Sequence, residues 1–431
     1  METIEQTEKN FTHSITFKLL IVAPLVLLFL IPQLLLTSLV KEREQRKNEV
    51  VMDVSQKWGS AQTITGPVLV VPFRKKDVEE DKYVLDYAYF LPNFLDIKGE
   101  VEAEIRYRGI FKVPVYNSKM SFNGMFPAPD LGRWKIRDED ILWDNAFAAI
   151  GITDLSGIQN SIAIRWNDTL QEVSPGIVAR DIAYTGVNAT VNVSEDTTYT
   201  FSFELNLNGT GTLHFIPVGK ETNVDISSPW INPSFDGNFL PDNRKITEQG
   251  FTANWNILDV NRYFPQHWTG QRSFDLQSSA FGVSLYLPVD HYQQSMRSVK
   301  YALMFISLTF IVFLFVEALN KRRIHFIVYV LVGFALIIFY SLLLSLSEQI
   351  GFNLAYLVAG IAVIGMITLY SHSSFRNIKL TLLLCFILMV LYTFLFTLLQ
   401  LQDFALLMGS IGLFIVLAVI MALSRKVNWY F

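Results

Sequence analysis

The 431 residues carry a formal charge of −4, are 51% hydrophobic and reach a mean hydropathy of +0.32, above what an ordinary soluble chain shows. Positions 41–300 hold 26 Lys and Arg against 33 Asp and Glu, a balance that excludes nucleic-acid binding on charge grounds. The single cysteine, Cys385, lies in an apolar run, which excludes a disulfide framework, a cysteine zinc site and a dithiol redox pair.

Residues 1–18 form a short polar N-terminal segment. Residues 19–40 then contain no charge, and a helix of that length covers the ~30 Å hydrocarbon core of a bilayer. Pro24 and Pro32 predict a kink that a membrane helix tolerates. The run is too long for a signal-peptide core and ends without a small-residue cleavage site, so it reads as a retained anchor. A charged, helical juxtamembrane stretch follows at 41–56. From 57 to 300 the pattern changes to short alternating segments bounded by Gly, Pro, Asn and Asp, which predicts strands, for example over 68–71, 83–90, 101–110, 161–166 and 198–207. Between Tyr199 and Leu207 apolar residues take every second position, and Asn208-Gly209 supplies turn chemistry before Thr212, which predicts a hairpin. Strands recurring about every ~10 residues favour an antiparallel sandwich over a βαβ architecture.

Five further apolar runs each suffice to span a membrane: 301–319, 326–346, 354–370, 380–399 and 404–423. Lys321, Arg322 and Arg323 follow the first, Arg376 and Lys379 the third, and Arg425 and Lys426 the fifth, whereas the other two junctions have no Lys or Arg. The positive-inside rule therefore puts both termini, 1–18 and 424–431, in the cytoplasm and the 57–300 domain outside. Lys41, Arg43, Arg46 and Lys47 oppose this locally. Short-loop charge outweighs them, because long translocated domains follow largely regardless of charge. The expected class is an α+β membrane protein: an N-terminal spanning helix, a large β-rich, antiparallel, sandwich-like domain, and a C-terminal five-helix bundle.

Several stretches carry a resemblance. They begin at Trp58; Ile64-Thr-Gly-Pro67 leads into Val70-Val71-Pro72, and Arg106-Tyr-Arg-Gly-Ile-Phe-Lys-Val-Pro-Val-Tyr116 follows. Further on come Gly151-Ile-Thr-Asp-Leu-Ser-Gly-Ile158, Trp230-Ile-Asn-Pro-Ser-Phe-Asp-Gly-Asn-Phe-Leu-Pro241, Gly250-Phe-Thr-Ala-Asn-Trp255, Pro288-Val-Asp290, Tyr292, Arg297-Ser-Val-Lys-Tyr301 and Ser345-Leu-Ser-Glu348. In combination, and nearly end to end, the chain resembles the CreD family of bacterial inner-membrane, cell-envelope integrity proteins. It departs at Asn232, where the family usually has His, and at Phe326 and Val328, where the family pattern reads His-Pro-Ile-Gln-Tyr. The resemblance implies a bacterial inner-membrane location, a periplasmic domain and a link to envelope stress, and it implies no reaction.

No phosphate-cradling loop, His-Glu-x-x-His or nucleophile elbow occurs, and the six histidines show no close metal-ligand spacing, so neither a cofactor nor a metal is expected. Trp230, Phe235 and Phe239 form a candidate recognition loop for a glycan or peptide, set against a loop that seals the sandwich core, the favoured reading. In the membrane, Glu317 and His325 near the inner end of one helix, and Ser341, Ser345 and Glu348 on the next, are the candidate polar positions. Gly333, Ser341 and Ser345 recur at multiples of four and read as a packing stripe, with the two carboxylates solvated at the interfaces. The function these residues favour is non-enzymatic support of the envelope, with an outer domain that binds or senses an envelope component. A transporter or channel for a small solute or lipid, and a periplasmic enzyme on envelope glycans or lipids, are the alternatives. Membrane lipid is the expected partner, together with an envelope glycan or a periplasmic protein.

Overall fold

The computed structural model describes residues 15–76, 82–270, 274–287, 291–320, 324–401 and 404–425. It divides into two compact units, Asn48–Pro288 on one side and Met1–Lys47 with Val289–Phe431 on the other.

In the helical unit, α1 (Ile15–Leu28) and α2 (Leu30–Trp58) are separated by a break at Phe29. Pro32 has no N–H to offer the carbonyl four residues back, at Leu28, and its ring crowds that carbonyl; the break falls there. α2 then continues through the charged residues to Trp58. After the sheet domain come α3 (His291–Lys300), α4 (Ala302–Asn320), α5 (Phe326–Ile350), α6 (Phe352–Phe375), α7 (Ile378–Gln400) and α8 (Ala405–Ser424). Among the described residues five helices are long and apolar enough to cross a membrane, or six if α3 and α4, bent by 44° at Tyr301, count as one span. Phe29 is buried edge-on against Phe310 of α4 and Phe334 of α5, so the first helix packs into the later bundle. Gly333 of α5 leaves the room: a Cβ there would collide with the Phe29 ring. Deeper in, Phe339, Tyr356 and Tyr392 join α5, α6 and α7, and the Tyr356 hydroxyl donates to the Tyr392 carbonyl at 2.7 Å. Gly351, at φ 81°, ends α5 and lets α6 start one residue later.

The other unit contains β1 (Gln62–Lys76), β2 (Tyr83–Phe90), β3 (Phe94–Arg108), β4 (Phe111–Phe126), β5 (Phe147–Ile152), β6 (Ala163–Trp166), β7 (Thr169–Glu172), β8 (Ser174–Pro175) and β9 (Gly186–Thr190). The chain continues through β10 (Tyr199–Thr210), β11 (Thr212–Ile216), β12 (Glu221–Ser228), β13 (Pro233–Gly237), β14 (Asn243–Thr247), β15 (Gly250–Leu258), β16 (His267–Thr269) and β17 (Phe281–Leu285). One sheet has the order β13-β17-β11-β1-β5-β9-β8, with β2 and β16 added beside β1; the other runs β14-β15-β12-β3-β4-β10-β6-β7. Pairings are antiparallel except β1 with β11 and β12 with β3. The inward faces of both sheets share one core, in which Phe122 and Phe203 stack at 4.5 Å and Trp255 and Phe281 are fully buried. The period-two pattern of β10 is realised: Tyr199, Phe201, Phe203, Leu205 and Leu207 face inward.

The hairpin expected at Asn208-Gly209 does not form. β10 pairs with β4 and β6 in one sheet, while β11 pairs with β1 and β17 in the other. Asn208 and Gly209 are strand residues. The Asn208 side chain accepts from Asn117 Nδ2 at 2.8 Å, and a Cβ on Gly209 would collide with the Tyr116 ring. Tertiary packing, not turn geometry, selects this dipeptide, and the chain changes sheets at Gly211, φ 74°.

Candidate functional site

The sheet domain is entered through α2 and left through the segment before α3. Each of these two connecting helices contributes a residue to Glu348 on α5. The Tyr292 hydroxyl of α3 donates to Glu348 Oε1 at 3.0 Å, and Arg43 Nε of α2 lies 4.0 Å from the same oxygen. The Glu348 side chain is only 10% exposed, against 46% for Arg43. The Tyr292 bond is therefore the shielded contact and the Arg43 pair the solvated, weaker one. Lys47, one turn beyond Arg43, places its ammonium 6.0 Å from the Tyr292 ring centroid, the outer limit of a cation–π contact. Lower on α2, Gln33 Nε2 donates to the Val299 carbonyl at 3.0 Å, which satisfies a backbone oxygen freed by the bend between α3 and α4.

This junction was only partly visible in the sequence. In the sequence Glu348 reads as a solvated interfacial carboxylate, Arg43 as one of the charges that locally oppose the orientation and Tyr292 as part of the family resemblance, while Gln33 carries no signal. α3 was not separated from the outer domain, although Tyr292, Ser295 and Val299 lie at helical spacing and are all buried.

At the other end of the bundle, Glu317 of α4 accepts from the Ile324 backbone N–H at 3.3 Å and from the Tyr329 hydroxyl at 3.4 Å. It holds the α4–α5 connection to α5. Arg322 and Arg323, in the basic run that follows α4, lie outside the described residues. His325 is the N-cap of α5, its Nδ1 accepting from the Ile327 N–H at 3.3 Å. Glu317 and Glu348 stay at opposite ends of neighbouring helices.

Ser341 and Ser345 are exposed on the bundle surface, whereas Gly333 is buried against Phe29, so the small-residue spacing does not produce one packing face. Ala355 and Ala359 of α6 are fully buried.

The candidate recognition segment contains a strand, β13, paired with β17. Phe235 packs edge-on against Phe251 and Trp255, and Phe239 against Phe281, while Trp230 Nε1 donates to the Asn232 carbonyl at 3.0 Å. All three rings are half-buried and lie against the core. Among the described residues, no three of His, Cys, Asp and Glu stand together as a metal site.

The motifs that stood out in the sequence have structural work. Asp154 accepts from the Ser60 N–H at 2.9 Å, the Ser60 hydroxyl at 2.8 Å, the Ser156 N–H at 3.0 Å and the Ser156 hydroxyl at 2.7 Å. Burial pushes its carboxyl up, but these bonds outweigh that and hold it below the ordinary value. Gln62, fully buried, donates to the Asp154 and Asn208 carbonyls and accepts from the Asp154 N–H. Trp58, at the end of α2, donates to the Tyr116 carbonyl at 3.1 Å and is covered by the Arg106 guanidinium 3.6 Å from its ring centroid. Beside it Arg108 pairs with Asp53 at 2.6 Å, so the β3–β4 ribbon rests on the last turns of α2.

The profile described as "Inner membrane protein CreD" matches residues 14–430. The inner membrane protein CreD of Escherichia coli (strain K12) is 32% identical over 419 residues, covering 94% of this chain and 91% of that protein. Among solved structures, an M1 zinc metallopeptidase from Deinococcus radiodurans bound to a Tyr-Ser-Ala substrate aligns with 39% of this chain and 39% of its own, at 10% identity and a TM-score of 0.21. A two-domain M1 zinc metallopeptidase bound to L-tryptophan gives a TM-score of 0.19 at 10% identity, again covering 39% of each chain. Similarity at that level carries no argument about fold or activity. The match along nearly the whole length, from the apolar helices at both ends through the sheet domain between them, is what decides: the chain belongs to the CreD family of inner membrane proteins.

Proposed function

We propose that this protein supports envelope integrity without catalysing a reaction: the sheet domain lies in the periplasm and binds or senses an envelope component, and the helix bundle anchors it and relays its state. The observation that carries this reading is the convergence on Glu348. A carboxylate that holds both the entering helix, through Arg43, and the leaving helix, through Tyr292, is placed to register any change in how those two connections are held. The alternation of basic residues at Arg376 and Lys379 and at Arg425 supports the orientation.

The test is replacement of the native gene by variants, scored as survival on medium containing a membrane-active detergent and a chelator. Glu348→Gln keeps an acceptor for Tyr292 but gives up the ion pair with Arg43, so it inserts normally and loses part of the resistance. Glu348→Ala inserts at the normal level and loses resistance, and Tyr292→Phe behaves likewise. Full resistance in a normally inserted Glu348→Ala strain would refute the relay.

A further inference from the structure

On the outward face of the first sheet, Thr63 of β1, His214 of β11, Gly282 of β17 and Asp236 of β13 stand side by side across four adjacent strands. The glycine decides the geometry. A side chain at 282 would stand between its neighbours: a Cβ there would collide with the Leu213 carbonyl oxygen and lie 2.9 Å from His214 Cα and Cδ2. Without one, His214 reaches over the strand and its Nε2 meets Asp236 Oδ1 at 2.6 Å. The second oxygen, Oδ2, accepts from the Ser284 hydroxyl at 2.7 Å, and Ser284 in turn lies 3.2 Å from Thr212 Oγ1. With both oxygens engaged, the carboxylate is fixed; with Nε2 bonded to it, Nδ1 is the ring nitrogen left for a further partner, an acceptor or a donor according to the protonation of the ring.

Beside this pair runs a groove of 460 Å³, within the size range of small-molecule sites, flanked by Asn238 and Gln277. The His214 Nδ1, the Thr63 hydroxyl and the Asn238 and Gln277 amides have no hydrogen-bond partner among the described residues. The chemistry of the lining narrows the ligand. Among the described residues no Lys or Arg lines the groove to hold a phosphate or carboxylate, and no aromatic or aliphatic wall receives a lipid chain. What the surface does offer is a set of neutral donors and acceptors around one oriented imidazole. Among the described residues the groove holds no cationic group and no second carboxylate beside the pair.

We propose that this groove binds a neutral hydroxyl- and amide-rich ligand, a short segment of glycan, with a sugar hydroxyl hydrogen-bonded to His214 Nδ1 and the Asn238 and Gln277 amides bonding neighbouring hydroxyl or acetamido groups. This names the class of envelope component left open by the reading above and rests on it. The sites are separate, however, so the groove can fail while the Glu348 junction stands, and the reverse.

The test is binding to the full-length protein in detergent micelles by calorimetry, with two probes: the β-1,4-linked tetramer of N-acetylglucosamine and solubilised peptidoglycan glycan strands. A tetra-alanine peptide is the control. Binding of a saccharide probe is expected, weakened at least about tenfold by His214→Ala and by Asn238→Ala; His214 and Asn238 are only partly buried, so the fold survives. Absence of binding to both saccharides by the wild type, or affinity unchanged in folded His214→Ala and Asn238→Ala proteins, would overturn the assignment.

Discussion

A single half-buried side chain can hold an entire motif in place, and Asp154 is the clearest case. Its four hydrogen bonds tie the residues just before β1 to the short turn after β5. Replacing it by Ala removes all four and leaves the Ser60 and Ser156 donors to find water, which costs roughly 2 kcal/mol. The sign of its pH dependence follows from the bonds. Because the folded carboxyl is held below its unfolded value, its contribution is present above that unfolded value of about 4 and is lost as pH falls through the lower folded one. Thermal denaturation in micelles should show Asp154→Ala melting several degrees lower at neutral pH, with the gap to wild type closing towards pH 3; a constant gap across that range would contradict the bonding described. Asp154 was legible only as part of a recognisable string, Gly151 to Ile158, because its partner Ser60 lies 94 positions away. The same limit applies to His214 and Asp236. They are 22 residues apart in the chain and meet only because Gly282, brought in from a third strand, has no side chain.

Elements with a strong period were legible and their pairing was not. The alternation in β10 and the long apolar runs identify strand and helix from the sequence, since each period records which face meets the core. The crossing between sheets at Gly211 was hidden, because Asn208-Gly209 satisfies the local chemistry of a turn while serving a tertiary contact with Asn117 and Tyr116. In the bundle, likewise, the spacing of Gly333, Ser341 and Ser345 suggests one face, but only Gly333 meets another helix. This separates two substitutions on the same helix. Gly333→Leu drives a side chain into the Phe29 ring and destabilises the bundle by about 1–3 kcal/mol or more, expelling the first helix, whereas Ser341→Leu at an exposed position stays within about 0.5 kcal/mol of wild type. Melting temperatures of the two purified variants check this, and equal losses in both would show that the α2–α5 contact is not as described.

At the scale of the whole molecule, the six apolar runs and the intervening β-rich stretch could be read in the sequence because a bilayer imposes length and composition on whatever crosses it. The bend between α3 and α4 could not. Its first helix is short and polar enough to resemble the end of the outer domain, and only its buried Tyr292, Ser295 and Val299 tie it to the bundle. Everything proposed for the sheet domain, from the Glu348 relay to the glycan groove, requires that domain to face the periplasm while the chain after α8 faces the cytoplasm. The direct measurement is labelling of single cysteines, in a Cys385→Ser background, with a membrane-impermeant maleimide in intact spheroplasts. Tyr184 and Val260, 94% and 82% exposed on the sheet domain, are suitable positions, with Arg425 as the cytoplasmic counterpart. The account predicts that Tyr184→Cys and Val260→Cys react in intact spheroplasts and that Arg425→Cys reacts only after lysis; labelling of Arg425→Cys before lysis, with Tyr184→Cys and Val260→Cys protected, would contradict it.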